Sequence, residues 1–287
     1  MSYPVFLLPI VVAPGTVRMT ENGIAQTLNI IDPATSLALA TSKTFYLRGD
    51  GTADDLLRLL KLTLDTHTGG TNVYTVAIQR NIDGSILPSS VTISAGTNNF
   101  SIDWTSASTT LNERHFGFRS IATTSGLSTT GDVSPTSQWV SNDVVEFFEE
   151  EDEVQAFVER ARSGFVLGGR RGGPYDIRRM GLQFQAEQRT VTKGVPTVVS
   201  TKDTGRAFAA AWALMTTGRA FEVHLATLAS GTTLSALSSS TRQDGTTGVT
   251  QTWFLDADTV ESGFRPARLA PGVGLYSWQL RLLGYAL

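Results

Sequence analysis

Tracts of small polar residues punctuate the chain: GTADD (51–55), THTGGTN (66–72), TTSGLSTTGD (123–132) and ASGTTLSALSSSTRQDGTTG (229–248). Glycine supplies positive-φ turns, and Ser, Thr, Asn and Asp side chains bond their own backbone, so such tracts cut a chain into short pieces. Between them apolar and polar residues alternate. Tyr74, Val76 and Ile78 share one parity, Val91 and Ile93 follow, and Phe100, Ile102 and Trp104 form a third set. A period of two is that of strands. The expected class is α+β and β-rich, with antiparallel sheets or β-sandwich or barrel units, each carrying one packed helix.

The helix of the first half follows FYLRGDG. Thr52 stands where an N-cap would, Asp55 lies three residues on, and Leu56, Leu57, Leu59, Leu60, Leu62 and Leu64 supply an apolar face, which predicts a helix from 53 to about 65. Asp54 and Asp55 suit the positive end of its dipole, and Lys61 the far end. Arg48-Gly49-Asp50 spells a tripeptide associated with cell adhesion. Each of its residues also has a local task in a strand-to-helix turn, and the structural reading is preferred. Neither G-x-G-x-x-G nor G-K-[ST] occurs.

The N-terminus, MSYPVFLLPIVVAPG, has an apolar stretch from Val5 to Val12 interrupted by prolines and preceded by no basic segment, so neither a signal peptide nor a membrane span is expected. An extended arm or edge strand fits better. Val5, Phe6, Leu7 and Leu8 are candidate interface residues: they pack on their own domain or dock on a neighbouring chain.

Charge is concentrated once. Glu146, Glu149, Glu150, Glu151, Asp152 and Glu153 precede Val154, Phe157 and Val158, which predicts an acidic helix from about Glu149. Arg170, Arg171, Arg178 and Arg179 follow among glycines. Glu149, Glu150, Glu151 and these four arginines are the second set of interface candidates, meeting between subunits or forming an internal network. The formal net charge of −3 gives no global case for nucleic-acid binding.

Catalytic patterns are weak. There is no cysteine, which removes thiolate chemistry and disulfides, and the three histidines, His67, His115 and His224, have no metal-ligand spacing. Glu222 and His224 share a strand parity suited to an acid/base pair, though water-facing strand residues look the same. Asp256 and Asp258 form a second same-parity pair. No catalytic, cofactor-binding or metal-binding residue is predicted, and the chain is read as not an enzyme.

Residues 1–125 read as an N-terminal α+β domain with its arm, 126–173 as a linker with the acidic helix, and 174–287 as a C-terminal β-rich domain. In the last, Met180, Leu182, Phe184 and Ala186 alternate. Asp203 caps an Ala-rich helix to about Met215, which Gly218 ends, and AFEVHLATL, QTWFLDAD and GLYSWQLRLLGYAL follow as strands, with Tyr276, Trp278, Leu280 and Leu282 alternating.

The second half, with DIRRMGLQFQ, TTGRAFEVHL and the closing GLYSWQLRLLGYAL, resembles tail proteins of tailed bacteriophages, especially the distal-tail and tail-tip class. The first half is similar to segments of other virion structural proteins. The resemblance implies a non-enzymatic virion component without cofactor, assembled from copies of itself into a ring between other tail proteins, with the acidic run facing either DNA passing through a lumen or a neighbour's basic patch. Two other expectations stay open: a capsid decoration or receptor-binding module presenting Arg48-Gly49-Asp50, and a carbohydrate-active enzyme using Glu222 or the Asp256 and Asp258 pair.

Overall fold

A computed structural model describes the backbone of residues 2–80, 89–119, 123–140, 144–150, 156–160, 166–170, 177–188, 221–227, 234–236, 251–255, 267–268 and 274–286, and the side chains of 5–80, 89–119, 123–138 and 221–224. In chain order the first part holds β1 (Ser2–Leu7), β2 (Ile10–Val12), β3 (Thr16–Glu21), β4 (Ile24–Asn29), β5 (Lys43–Phe45), the helix α1 (Leu56–Leu64), β6 (Thr75–Arg80), β7 (Ser89–Ser94), β8 (Phe100–Asp103), β9 (Thr123–Gly126), β10 (Ser128–Thr130) and β11 (Gln138–Val140). The second part holds β12 (Val144–Glu150), β13 (Ala156–Arg160), β14 (Val166–Arg170), β15 (Ile177–Gln188), β16 (Glu222–Thr227), β17 (Leu234–Ala236), β18 (Gln251–Leu255), β19 (Ala267–Arg268) and β20 (Gly274–Ala286). The fold is α+β and β-rich, with strands paired antiparallel throughout these sheets and one α-helix among the described residues.

α1 forms because its leucines recur on one face. Leu56, Leu57, Leu59, Leu60 and Leu64 are buried, each worth about 2 kcal/mol relative to exposure, and they join one core with Val17, Met19, Ile78, Val91, Ile93, Phe100 and Ile102. Thr63 is buried too, its hydroxyl donating to the Leu59 carbonyl (2.8 Å) and accepting from the Ile31 amide (3.1 Å). The helix begins later than expected. Asp55, not Thr52, is the N-cap, accepting from the Leu57 amide, because the Asp54 carbonyl already receives the Tyr46 amide across an extended bridge. Thr52 instead turns its hydroxyl to Asp50 (2.7 Å).

The three alternating strands after the helix divide between two sheets. β6 and β7 pair with β10, in the order β10-β7-β6, whereas β8 lies between β3 and β9 in the order β4-β3-β8-β9. The apolar parity holds in both: Tyr74, Ile78, Val91, Ile93, Phe100, Ile102 and Trp104 are all buried. Residues 126–138, the start of the expected linker, contribute to these sheets. β9 pairs with β8, β10 with β7, and the intervening Leu127 carbonyl accepts from the Ala95 amide at 2.7 Å.

The N-terminal arm is the largest departure from an edge strand. β1 lies inside a sheet ordered β11-β1-β16-β17, paired on both sides, so the first strand joins a strand more than two hundred positions along the chain. Proline at position 4 keeps its place because β11 pairs only with Val5, Phe6 and Leu7 in the described register. The acidic stretch is also a strand up to Glu150: Val144, Val145, Phe147 and Phe148 favour extended backbone, and the twelve-residue β15 offers them a partner. Phe157 and Val158 lie in β13, paired with β14. Residues 151–155, the Ala-rich segment from Asp203 to Gly218, and Asp256 and Asp258 lie outside the described residues.

Candidate functional site

The strongest concentration of polar chemistry is a buried ionic cluster between the turn before α1 and β16. Backbone register builds one side of it. Leu7 on β1 stands opposite Gln138 on β11 and Glu222 on β16, and Val5 stands opposite His224. Paired residues of an antiparallel ladder share a face, so Gln138, Glu222 and His224 lie on one side of the sheet. All three are buried. The expectation that Glu222 and His224 face water is therefore corrected: their strand is roofed by the turn that carries Arg48.

That turn is made by glycines. Gly49 and Gly51 have φ of 77° and 72°, where a side chain is strained, and they let the chain double back so that the buried Asp55 carboxylate accepts from the amides of Gly51 (2.9 Å) and Leu57 (3.1 Å). Asp50 accepts from the Thr52 amide at 3.0 Å. Burial pushes the Asp55 carboxyl above its ordinary value, against the bonds from the Gly51, Gly49 and Leu57 amides.

Arg48 leaves this turn and spans the cluster. Its Nε donates to Glu222 Oε2 at 2.9 Å and its Nη2 to Glu222 Oε1, a two-pronged bond, while Nη1 donates to Asp54 and to Thr52 Oγ1 (3.2 Å). The guanidinium also lies 5.2 Å from the Tyr46 ring centre. His224 Nε2 meets Glu222 Oε2 at 2.8 Å. Burial alone would raise the Glu222 carboxyl, but the hydrogen bonds and charges of His224 and Arg48 outweigh it and hold the group below its ordinary value. Burial and the nearby Glu222 charge push the Tyr46 hydroxyl up to about 12.

Arg80 supports the turn from beneath. It is 2 % exposed, and Nη2 donates to the carbonyls of Leu47 (2.5 Å) and Arg48 (3.2 Å) while Nε donates to Gln138 Oε1 (3.1 Å). Burial lowers its pKa to about 10, resisted by the negative charges of Asp55 and Asp50. Arg80 and Gln138 were not among the expected site residues. The signal for Arg80 was present, since it continues the inward parity of Tyr74, Val76 and Ile78.

What the cluster can do chemically is limited. Arg48 and His224 both bond the Glu222 carboxylate and hold it below its ordinary value, which makes it a weak base for taking a proton from a substrate. The arrangement cross-links β16, the β5–α1 turn, β6 and β11. Of Arg48-Gly49-Asp50, the Arg side chain belongs to this cross-link, and the exposed Asp50 carboxylate bonds Thr52 within the turn. No group of His, Cys, Asp and Glu among the described residues is arranged to hold a metal ion.

The interface candidates fall differently. Val5, Phe6, Leu7 and Leu8 are each 0 % exposed and covered by the chain itself, the first of the two placements expected for them. Glu149 and Glu150 stand on β12 opposite Met180 and Arg179 of β15, so the acidic and basic stretches are adjacent strands of one chain. Arg170 stands opposite Ala156, and Arg178 opposite Gly284; Glu151 and Arg171 lie outside the described residues. No helix among the described residues is long and apolar enough to cross a membrane. Compared with models of protein families, with characterised proteins and with solved structures, the chain matches none.

Proposed function

We propose that the chain is a structural, non-enzymatic protein of a tailed-phage virion, assembling with copies of itself at the tail or tail tip. One observation carries the reading. Two of the three stretches on which the resemblance to distal-tail and tail-tip proteins rests, DIRRMGLQFQ and GLYSWQLRLLGYAL, supply β15 and β20, paired residue for residue from Ile177 opposite Tyr285 to Gln188 opposite Gly274. Within that register Met180, Leu182, Phe184 and Ala186 stand opposite Leu282, Leu280, Trp278 and Tyr276, so the two alternating patterns coincide. A long, strongly patterned strand pair is a framework suited to repeated packing between subunits. The Glu222 carboxylate, bonded by Arg48 and His224 and held below its ordinary value, supports a structural role over hydrolysis at that residue, and the bonds from Arg48 to Glu222 support a scaffold role for that arginine.

Negative-stain electron microscopy of the purified full chain tests the reading, with rings or short tubes expected. Chains that stay single at high concentration, and turnover of a polysaccharide that disappears on Glu222→Gln, would each overturn it.

A further inference from the structure

His67 belongs to the tract THTGGTN (66–72), which leads from α1 towards β6 and is fastened to the hairpin of β3 and β4. Its side chain is 1 % exposed. Two clasps hold the tract to β4. Gln26 bonds the Thr68 main chain twice, its Nε2 donating to the carbonyl and its Oε1 accepting from the amide at 3.0 Å, and His67 Nε2 donates to the Ile24 carbonyl at 3.2 Å. The same tract wraps the Glu21 carboxylate of β3, also 1 % exposed. Glu21 Oε1 accepts from the Thr71 (2.9 Å) and Asn72 (3.1 Å) amides, and Oε2 from the Tyr74 hydroxyl (2.8 Å).

A carbonyl oxygen can only accept, so Nε2 carries the first proton of the His67 ring. Nδ1 is the free end. It is buried, has no hydrogen-bond partner among the described residues, and stands 3.7 Å from Glu21 Oε2. In the neutral ring this nitrogen turns a lone pair towards a carboxylate. A second proton replaces two facing acceptors by an ion pair, and it turns a lone buried anion into a neutral couple, which an interior favours. We propose that His67 and Glu21 form a proton-operated latch, which draws the tract 66–72 onto the β3–β4 hairpin when Nδ1 is protonated and loosens it when that proton leaves.

The charged groups of the surrounding elements are otherwise occupied. Asp65, at the end of α1, is engaged by Lys61 and by the Tyr74 amide at 3.0 Å. β4 carries no charged side chain, and Arg18 of β3 bonds the Thr27 hydroxyl at 3.3 Å. Burial and the Glu21 carboxylate push the Tyr74 hydroxyl up, so it stays protonated and keeps donating. Burial would raise the Glu21 carboxyl as well, but the bonds from Tyr74, Asn72 and Thr71 outweigh it and keep that partner ionised into the acid range. Once Glu21 is itself protonated the pair is lost, so the latch holds between two protonations. It stands on these residues and does not rest on the virion reading.

The chain has three histidines, so ring signals are few, and His67→Gln, whose amide can still donate to Ile24, assigns those of His67 by their loss. Hydrogen exchange of the Thr71 and Asn72 amides is measured on the full chain from about pH 5 to pH 9 and corrected for intrinsic rates, beside an NMR titration of the ring. Protection of both amides is expected to rise about tenfold as His67 takes up its second proton, with the two midpoints coinciding. The step should vanish in Glu21→Gln, whose ring still titrates, and in His67→Gln, which has nothing to titrate. Protection that stays level across the ring titration, or a step that survives in either variant, would overturn the latch. Should Glu21→Gln fail to fold, His67→Gln decides alone.

Discussion

Arg48 and Glu222, 174 positions apart, form a two-pronged, partly buried ion pair, with Nε 2.9 Å from Oε2. The pair fastens the turn before α1 to the strand that flanks the N-terminus. Removing one partner leaves a buried charge facing hydrogen-bonding groups it cannot satisfy, whereas removing both leaves only a loss of packing. Arg48→Met and Glu222→Gln are each expected to destabilise the chain by about 3–5 kcal/mol, and the double variant by clearly less than the sum. Urea unfolding of the four chains checks this; additive losses would show that the pair is not coupled.

The same cluster sets a pH dependence. Glu222 titrates below its ordinary value, as does Glu21, where burial is outweighed by bonds from the Tyr74 hydroxyl and the Asn72 and Thr71 amides and by the His67 charge. A carboxyl held low is protonated in the unfolded chain first, so its stabilisation is complete above the ordinary 4.5 and drains as pH falls through the folded value. Asp55 has the opposite sign: raised by burial above 3.8, it takes up its proton first in the folded chain and partly offsets the loss. Midpoints of urea unfolding should fall below about pH 4.5. Glu222→Gln should flatten that decline and Asp55→Asn steepen it.

Helix capping separates the two readings of the turn. Asp55 serves the amides of Leu57 and Gly51 from a buried position, and Thr52 is exposed with its hydroxyl on Asp50. Asp55→Ala is expected to cost about 1–2 kcal/mol, and Thr52→Ala no more than about 0.5. Asp55→Asn, which keeps an acceptor and removes a desolvated charge, should fall between them. Thermal unfolding of the three variants decides it, and a larger loss at Thr52 would restore that residue as the cap.

Gly70 probes the second buried carboxylate. A Cβ built there would fall on the Glu21 side chain, whose oxygens accept from Thr71 (2.9 Å), Asn72 (3.1 Å) and the Tyr74 hydroxyl (2.8 Å). Gly51, at φ of 72°, has open space around it and only the conformational strain. Gly70→Ala should therefore cost about 2–4 kcal/mol and Gly51→Ala about 1 kcal/mol, by the same unfolding assay.

Local patterns carried much of the fold. The α1 leucines and the alternation of Tyr74, Ile78, Val91, Ile93, Phe100 and Ile102 place those residues in the core because helix and strand periods act within a few residues. What failed depended on distant partners. The spacing of the acidic run predicts a helix from about Glu149, yet Glu149 and Glu150 lie in β12, where pairing with β15, 29 to 40 positions along the chain, overrides the local preference. Glu222 and His224 look solvated on their own; the cation that neutralises Glu222 comes from the far half of the chain. Arg80 was legible by parity, but an inward arginine makes sense only once the carbonyls of Leu47 and Arg48 are there to accept from it.

The N-terminal strand gives the last test, because its two readings predict different losses. Phe6 is 0 % exposed, lies on β1 between β11 and β16, and has its ring 6.3 Å from that of Phe221. As part of the chain's own core, Phe6→Ala should remove about 3–5 kcal/mol of stability at every protein concentration, through lost burial and the cavity left behind. Deleting residues 1–8 should go further, leaving β11 and β16 with unpaired edges and yielding aggregated protein. Were this strand an arm for a neighbouring chain, Phe6→Ala would spare the isolated chain and weaken only its assembly. Urea unfolding at two concentrations tenfold apart, alongside sedimentation of the same samples, distinguishes the two: a concentration-independent loss assigns Phe6 to the core, and an unfolding midpoint equal to that of the unmodified chain assigns it to an interface.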